Sequence, residues 1–148
     1  MTKTSVLITG ASTGIGAVYA QRFASRGHDL VLVARDKTKL DALAERLRQE
    51  KGVSVDVLPA DLTQAADLAT VEARLRDDER IGGLINNAGM AQSGNFAGQT
   101  PEAIERLIAL NVTALTSLLV PRRHGLSKPE KAQSSISAPS LGSLRNLP

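Results

Sequence analysis

Two kinds of apolar spacing alternate along the first 120 residues. Ser5-Val6-Leu7-Ile8 and Leu30-Val31-Leu32-Val33-Ala34 are continuous apolar runs, the pattern of strands covered on both faces. Val53 to Leu58 reads as a third strand, and Leu84-Ile85-Asn86 as a short fourth, reached through Gly82-Gly83. Between the runs the apolar residues recur at helical spacing. They are Ile15, Val18, Tyr19 and Phe23, then Leu40, Leu43 and Leu47, then Leu68, Val71 and Leu75. Gly52 suits a helix C-cap. Thr100-Pro101-Glu102 opens a last helix with a capping residue, a proline at the first position and an acid in the first turn. On that helix Ile104, Leu107, Ile108, Asn111, Leu115 and Leu118 are expected to share one face.

Strand and helix alternating at this spacing imply right-handed βαβ crossovers and a parallel sheet with helices on both faces. The expected fold is α/β, a doubly wound parallel sheet of Rossmann-like type, truncated after the fourth strand and helix. The strand order should be 3-2-1-4, and a ligand would sit beyond the carboxyl ends of strands 1 and 4, where the order reverses.

Composition narrows the class. A chain of 148 residues, 42% hydrophobic, is enough for one domain with a real core. Without a membrane-length apolar run or a signal-like opening, the expectation is a cytoplasmic protein with no membrane partner. There is no cysteine, which excludes disulfides and thiolate metal sites. His28 and His124 are isolated, so no metal is expected. The pI of about 9.6 suggests nucleic acid until the charge is divided. Residues 1–120 hold thirteen Lys and Arg against fourteen Asp and Glu, and residues 121–148 hold five against one. The basic balance belongs to the tail, and Arg122-Arg123 reads as solvated charge, so no nucleic-acid partner is expected. That tail has four of the six prolines, six serines and no aromatic residue, which separates a half domain at 1–120 from a disordered segment at 121–148.

The candidate chemistry lies at the strand ends. Thr9-Gly10-Ala11-Ser12-Thr13-Gly14-Ile15-Gly16 joins strand one to helix one. Backbone N–H groups at the positive end of a helix, uncrowded by Cβ atoms, admit a phosphate closely. Arg35 follows strand two, where a fold of this class meets an adenosine ribose with an acid or a 2′-phosphate with an arginine. Asp61-Leu62 follows strand three, and Asn86-Asn87-Ala88-Gly89 follows strand four. Taken singly, Arg35 also fits a solvated loop cation, Asp61 a helix N-cap, and the Asn pair ordinary turn hydrogen bonds. Asn111 differs, because an unpaired amide on an apolar helix face would be costly.

Together these residues resemble the short-chain dehydrogenase/reductase family over roughly Thr4 to Val120. The resemblance implies an NADP-linked oxidoreductase acting on an alcohol or carbonyl. It implies that Ser12, Thr13, Gly14 and Ile15, with Gly10 and Gly16, hold the pyrophosphate. Asp61 and Leu62 would meet the adenine, and Asn87, Ala88 and Gly89 would wall the ribose pocket. Arg35 favours NADP over NAD, because a guanidinium can hold a 2′-phosphate through two hydrogen bonds. Thr13 stands where many members carry a basic residue, and Asp36 lies beside Arg35. Asn111 would belong to the catalytic set by shaping a proton-relay path. Members often form dimers and tetramers through their fourth and fifth helices, an expectation that does not carry over with the fifth absent.

Family members continue with a fifth strand bearing a catalytic serine and a helix bearing Tyr-x-x-x-Lys, which supply the proton that accompanies hydride transfer. Here the single tyrosine is Tyr19, and no Tyr-x-x-x-Lys occurs. One permitted back-translation of Lys131 to Gly142, read two bases later, gives Gly-Thr-Ile-Val-Asn-Ile-Ser-Ser-Val-Val-Gly. That peptide resembles the family's fifth strand and serine segment, as a frameshift near Pro121 would produce. The expectation is therefore a catalytically dead NADP-binding fragment. The alternatives are a non-catalytic nucleotide-binding module and an aggregation-prone chain whose fourth-strand edge and last helix lack cover.

Overall fold

A computed structural model describes residues 4–120; the tail expectations for 121–148 lie outside the described residues. Four strands, β1 (Ser5–Thr9), β2 (Asp29–Ala34), β3 (Val55–Pro59) and β4 (Ile81–Ile85), form one parallel sheet in the order β3-β2-β1-β4. Helices α1 (Gly14–Ser25), α2 (Lys37–Lys51) and α3 (Ala65–Asp77) make the crossovers, and α4 (Pro101–Ile108) follows β4. This is the expected doubly wound, Rossmann-like order.

Strand alternation divides the core in two. Val6, Ile8, Leu30 and Leu32 pack on one face against Ala20 and Ala24 of α1 and Leu40, Leu43 and Leu47 of α2. Leu7, Val31 and Val33 pack on the other against Leu68 and Val71 of α3 and the buried Ala114 and Leu118. Both faces of β1 and β2 are covered, which is why their sequences read as unbroken apolar runs. Leu7, Ile8 and Leu32 are wholly inaccessible, and each such side chain contributes about 2 kcal/mol of burial.

Helix α1 departs from the expected packing. Ile15 and Val18 are 62% and 47% exposed, and the buried face is Gly16, Ala20 and Ala24. The helix lies so close to the sheet that small residues make the innermost contact; Tyr19 and Phe23 pack against the core from its side, and Ile15 and Val18 face outward. The α2 boundaries reflect local chemistry: Asp36 Oδ1 accepts from Lys39 N at 3.0 Å, and Gly52 closes the helix at φ 64°. Likewise Thr100 Oγ1 accepts from Ala103 N at 3.2 Å, with Pro101 in the first turn of α4.

Two boundaries shift from their expected places. β3 begins at Val55, although Val53 is already buried. β4 begins at Ile81, so Gly82 and Gly83 are inside it, and the register with β1 slips between Ser5 and Val6. A Cβ on Gly82 would lie 2.1 Å from the Thr4 side chain, so glycine serves the irregular pairing.

The single face expected for the last helix is also broken. A π-helical turn, Ala109–Ala114, separates α4 from α5 (Leu115–Leu119). Bonding to the fifth residue inserts an extra position and rotates the face presented by α5. Ala114 and Leu118 are therefore buried, whereas Ile108 and Val112 are 47% and 55% exposed. No described helix is long and apolar enough to cross a membrane.

Candidate functional site

The site is built where β1 and β4 end side by side. Thr9, fully buried at the last position of β1, accepts two backbone donors through its hydroxyl: Asn87 N at 3.0 Å and Ala88 N at 2.9 Å. The same hydroxyl faces Asn86 Oδ1 at 3.4 Å. Asn86 is itself buried and donates from Nδ2 to the Leu115 carbonyl at 3.0 Å, which ties α5 to the end of β4. Asn87 donates from Nδ2 to the carbonyls of Thr9 at 3.2 Å and Gly10 at 3.4 Å. The loop after β4 is thus fastened across the loop after β1 by the side chains of Thr9 and Asn87.

Two glycines make this crossing possible. Gly10 has φ +65°, and a Cβ there would lie 2.9 Å from Asn87 Nδ2 and 3.0 Å from the Ala88 backbone. Gly16, in the first turn of α1, would place a Cβ 2.1 Å from the Gly10 carbonyl oxygen. Gly14 differs, with φ +55° and open space around it. The N-terminus of α1 has no side-chain cap and no acid in its first turn. Its leading N–H groups and the positive end of its dipole remain available to an anion. Ser12 is half-buried, and Thr13 is exposed.

The neighbouring strand ends supply the remaining groups. Arg35 is exposed just after β2 and makes no ion pair among the described residues, although its charge acts on Asp61. Asp36, next to it, is committed elsewhere: its carboxylate caps α2 and pairs with Lys39 at 3.3 Å. The Lys39 backbone bond leads in holding the Asp36 carboxyl below its usual range. Asp61 is half-buried between the buried Ala60 and Leu62. Its Oδ1 accepts from Thr63 Oγ1 at 2.7 Å and Thr63 N at 3.0 Å, while its own N–H donates to Asp67 Oδ2 at 2.7 Å. Burial works against ionisation of Asp61, yet the Thr63 bonds and the charges of Arg35 and Arg106 hold its carboxyl below the usual range. It does not cap α3; the capping position is Gln64. Leu62 points into the core, so only its backbone can face a ligand.

Asn111 is in the π turn, and both polar atoms of its side chain are hydrogen-bonded. Its Oδ1 accepts from Met90 N at 2.9 Å and its Nδ2 donates to Met90 O at 2.7 Å, which fixes the chain after Gly89. A Cβ on Gly89 would come 3.4 Å from Asn111 Oδ1. The expected cost of an amide on an apolar face is met by this two-bond clasp. No cluster of three or more potential metal ligands occurs among the described residues.

Sequence reasoning named Thr9 and Asn86 within their motifs but gave them no role of their own, and it did not mark Thr63 or Asp67. Thr9 could have been found as the one polar residue ending a buried strand, and Asp67 as an acid in the first turn of α3.

The 3-2-1-4 parallel sheet with a glycine turn at its switch point places the chain in the doubly wound α/β class. Within that class it belongs to the short chain dehydrogenase family, whose profile matches residues 4–123. It is 74% identical to a short-chain dehydrogenase from Sphingobium yanoikuyae solved in complex with NADPH, with a TM-score of 0.77 over 78% of this chain and 45% of that one. It is 61% identical to the bulky-bulky ketone specific alcohol dehydrogenase from Comamonas testosteroni, with a TM-score of 0.78 over 80% of this chain and 47% of that one. Among curated relatives, the 17-beta-hydroxysteroid dehydrogenase type 3 of Homo sapiens is 35% identical over 115 residues, 76% of this chain and 36% of its own length. The chain therefore spans less than half the length of these relatives.

Proposed function

We propose that this chain is the cofactor-binding part of an NADP-dependent oxidoreductase acting on alcohol or carbonyl groups. The observation that carries the reading is the uncapped N-terminus of α1 beside the Gly10–Gly16 contact, with Arg35 and Asp61 at the next strand ends. The residues fit the group. The α1 N–H donors of Gly14, Ile15 and Gly16, with Ser12 and Thr13, would take the pyrophosphate. Asp61 and the Leu62 backbone would meet the adenine, and Asn87, Ala88 and Gly89 would bound the ribose. When bound, the nicotinamide supplies or accepts a hydride.

Arg35 favours NADP over NAD, and the engagement of Asp36 supports this, because a carboxylate turned to Lys39 and the α2 cap neither repels a 2′-phosphate nor claims a ribose diol. The NADPH complex of the 74% identical dehydrogenase agrees with that preference. Titration of the 148-residue chain should give tighter binding for NADPH than for NADH. Arg35→Ala should weaken NADPH binding about 10- to 100-fold, the loss of a bidentate charged contact, and leave NADH unchanged. Equal binding of the two nucleotides by the unaltered chain would defeat the assignment.

We further propose that the chain does not turn over a substrate by itself. Its single tyrosine, Tyr19, lies in α1 with its ring 6.5 Å from that of Phe23, so it belongs to the packing beside the helix. One permitted back-translation of Lys131 to Gly142 fits a frameshift near Pro121, and sequencing the DNA beyond that point for a frame encoding Tyr-x-x-x-Lys tests it. NADPH-dependent reduction of any aldehyde or ketone by this chain would overturn the non-catalytic reading. Self-association is the second reading, favoured by the exposed Ile108 and Val112 and by an outer edge of β4 without a strand partner among the described residues. Gel filtration distinguishes the two.

A further inference from the structure

We propose that Thr63 is a positioning residue that makes the site select a 6-aminopurine dinucleotide over a 6-oxopurine one, by pinning Asp61 so that one chosen carboxylate oxygen stays open. The proposal rests on the cofactor reading above.

The geometry is specific. Asp61 cannot drift as a unit, because its flanking residues Ala60 and Leu62 are buried and its N–H is held by Asp67 Oδ2 at 2.7 Å. Nor can its carboxylate turn freely, because Thr63 delivers two donors to the same oxygen, Oδ1, at 2.7 and 3.0 Å. The other oxygen, Oδ2, accepts no hydrogen bond among the described residues. An ionised carboxylate is an acceptor only, so the open Oδ2 attracts an exocyclic amine and repels an exocyclic carbonyl. The field of Arg35 and Arg106, together with the Thr63 bonds, favours the ionised form against the effect of burial.

Pinning makes a sharper claim than the mere presence of an acid. In Asp61→Asn, the two Thr63 donors still demand an acceptor and hold the amide oxygen in the Oδ1 place. The amide NH2 must then occupy the open position and donate. The base preference should reverse toward the 6-oxo purine. If the Thr63 hydroxyl is removed as well, the amide can flip and the reversal should fade.

The test is a fluorescence titration of the full 148-residue chain with NADPH and with its hypoxanthine analogue, reduced nicotinamide hypoxanthine dinucleotide phosphate. The unaltered chain should prefer the adenine form by about tenfold, the effect of one charge-assisted hydrogen bond. Thr63→Val should reduce that ratio about fivefold while leaving affinity for the analogue unchanged, and Thr63→Ser should restore it. Asp61→Asn should favour the analogue, and Asp61→Asn with Thr63→Val should favour neither. A Thr63→Val chain that loses both nucleotides equally would assign the hydroxyl to α3 alone and overturn the proposal. NADPH binding without base preference in the unaltered chain would overturn it and leave the cofactor reading standing. Binding of neither nucleotide would overturn both.

Discussion

Replacing Gly16 by alanine tests whether the close approach of α1 to the β1 turn governs this domain. An ideal Cβ at Gly16 would sit 2.1 Å from the Gly10 carbonyl oxygen and 2.7 Å from its carbon, both backbone atoms. Cβ contacts under 3.0 Å essentially never occur, so the helix and turn must part by about 0.9 Å. Neither side yields easily. Gly10 is locked at φ +65° with Asn87 and Ala88 against it, and Ala20 and Ala24 hold α1 in the core behind. Overpacking of this kind costs about 1–3 kcal/mol. The helix-propensity gain of alanine, about 1 kcal/mol in a helix interior, is smaller in the first turn. The expected net loss is about 2 kcal/mol, or a fall of about 8 °C in Tm for a domain of this size. Gly14→Ala is the control, because its Cβ meets nothing and its penalty comes from φ +55° alone, about 1 kcal/mol. Urea denaturation followed by circular dichroism, with thermal melts alongside, reads both. The reasoning is refuted if Gly16→Ala is within about 0.5 kcal/mol of the parent, or if Gly14→Ala is the more damaged.

Two further changes address the rest of the frame. Thr9→Val removes the acceptor of two donors beneath a fully buried residue, and should cost about 2–4 kcal/mol while accelerating amide exchange at Asn87 and Ala88. Thr9→Ser keeps the oxygen and should cost about 1 kcal/mol; equal losses would show that the hydroxyl bonds contribute nothing. Asp78, held chiefly by its hydrogen bonds to Arg80, has its carboxyl lowered from 3.8 to about 2. Because the folded value is the lower one, its stabilisation is complete above about pH 4 and disappears as the pH falls through 2. The Asp78 side chain is 11% exposed, but Arg74 and Arg80 are 30% and 65% exposed, so solvent screening reduces the effect to about 1 kcal/mol. The stability gap between the parent and Asp78→Asn should therefore close between pH 4 and pH 2. A gap constant with pH would refute it.

The strand order was legible because the apolar runs of β1 and β2 leave no exposed face to arrange, and helical spacing between them requires crossovers. Phase within a helix was less legible. Periodicity in α1 counts Ile15 and Val18 as core, since a hydrophobicity pattern does not register that Gly16, Ala20 and Ala24 permit a closer approach. In the last helix the 3.6 spacing runs unbroken through Asn111, and nothing local to the chain marks the π turn. Its partner, Met90, is twenty-one residues distant. The glycines, Arg35, Asp61 and Asn87 stood out through their chemistry at strand ends. Thr9 was marked only as part of the glycine turn and Thr63 not at all, because their importance lies in which backbone or carboxylate groups they hold, and that is set by tertiary pairing.

The Thr9 hydroxyl joins residues 79 positions apart in sequence, whereas β1 and β2 close over an interval of 24 from Ser5 to Asp29. Closure of the longer loop carries the larger entropic cost and is expected later. A growing chain therefore presents the glycine turn and α1 well before Asn87 has been synthesised to lock them. The loops after β1 and β4 come together only when β4 docks, so a ligand spanning them stabilises the chain with β4 in place over one in which it is not. Nucleotide binding would then report that β4 has docked, and the nucleotide concentration in which the chain is made would set how much of it stays docked.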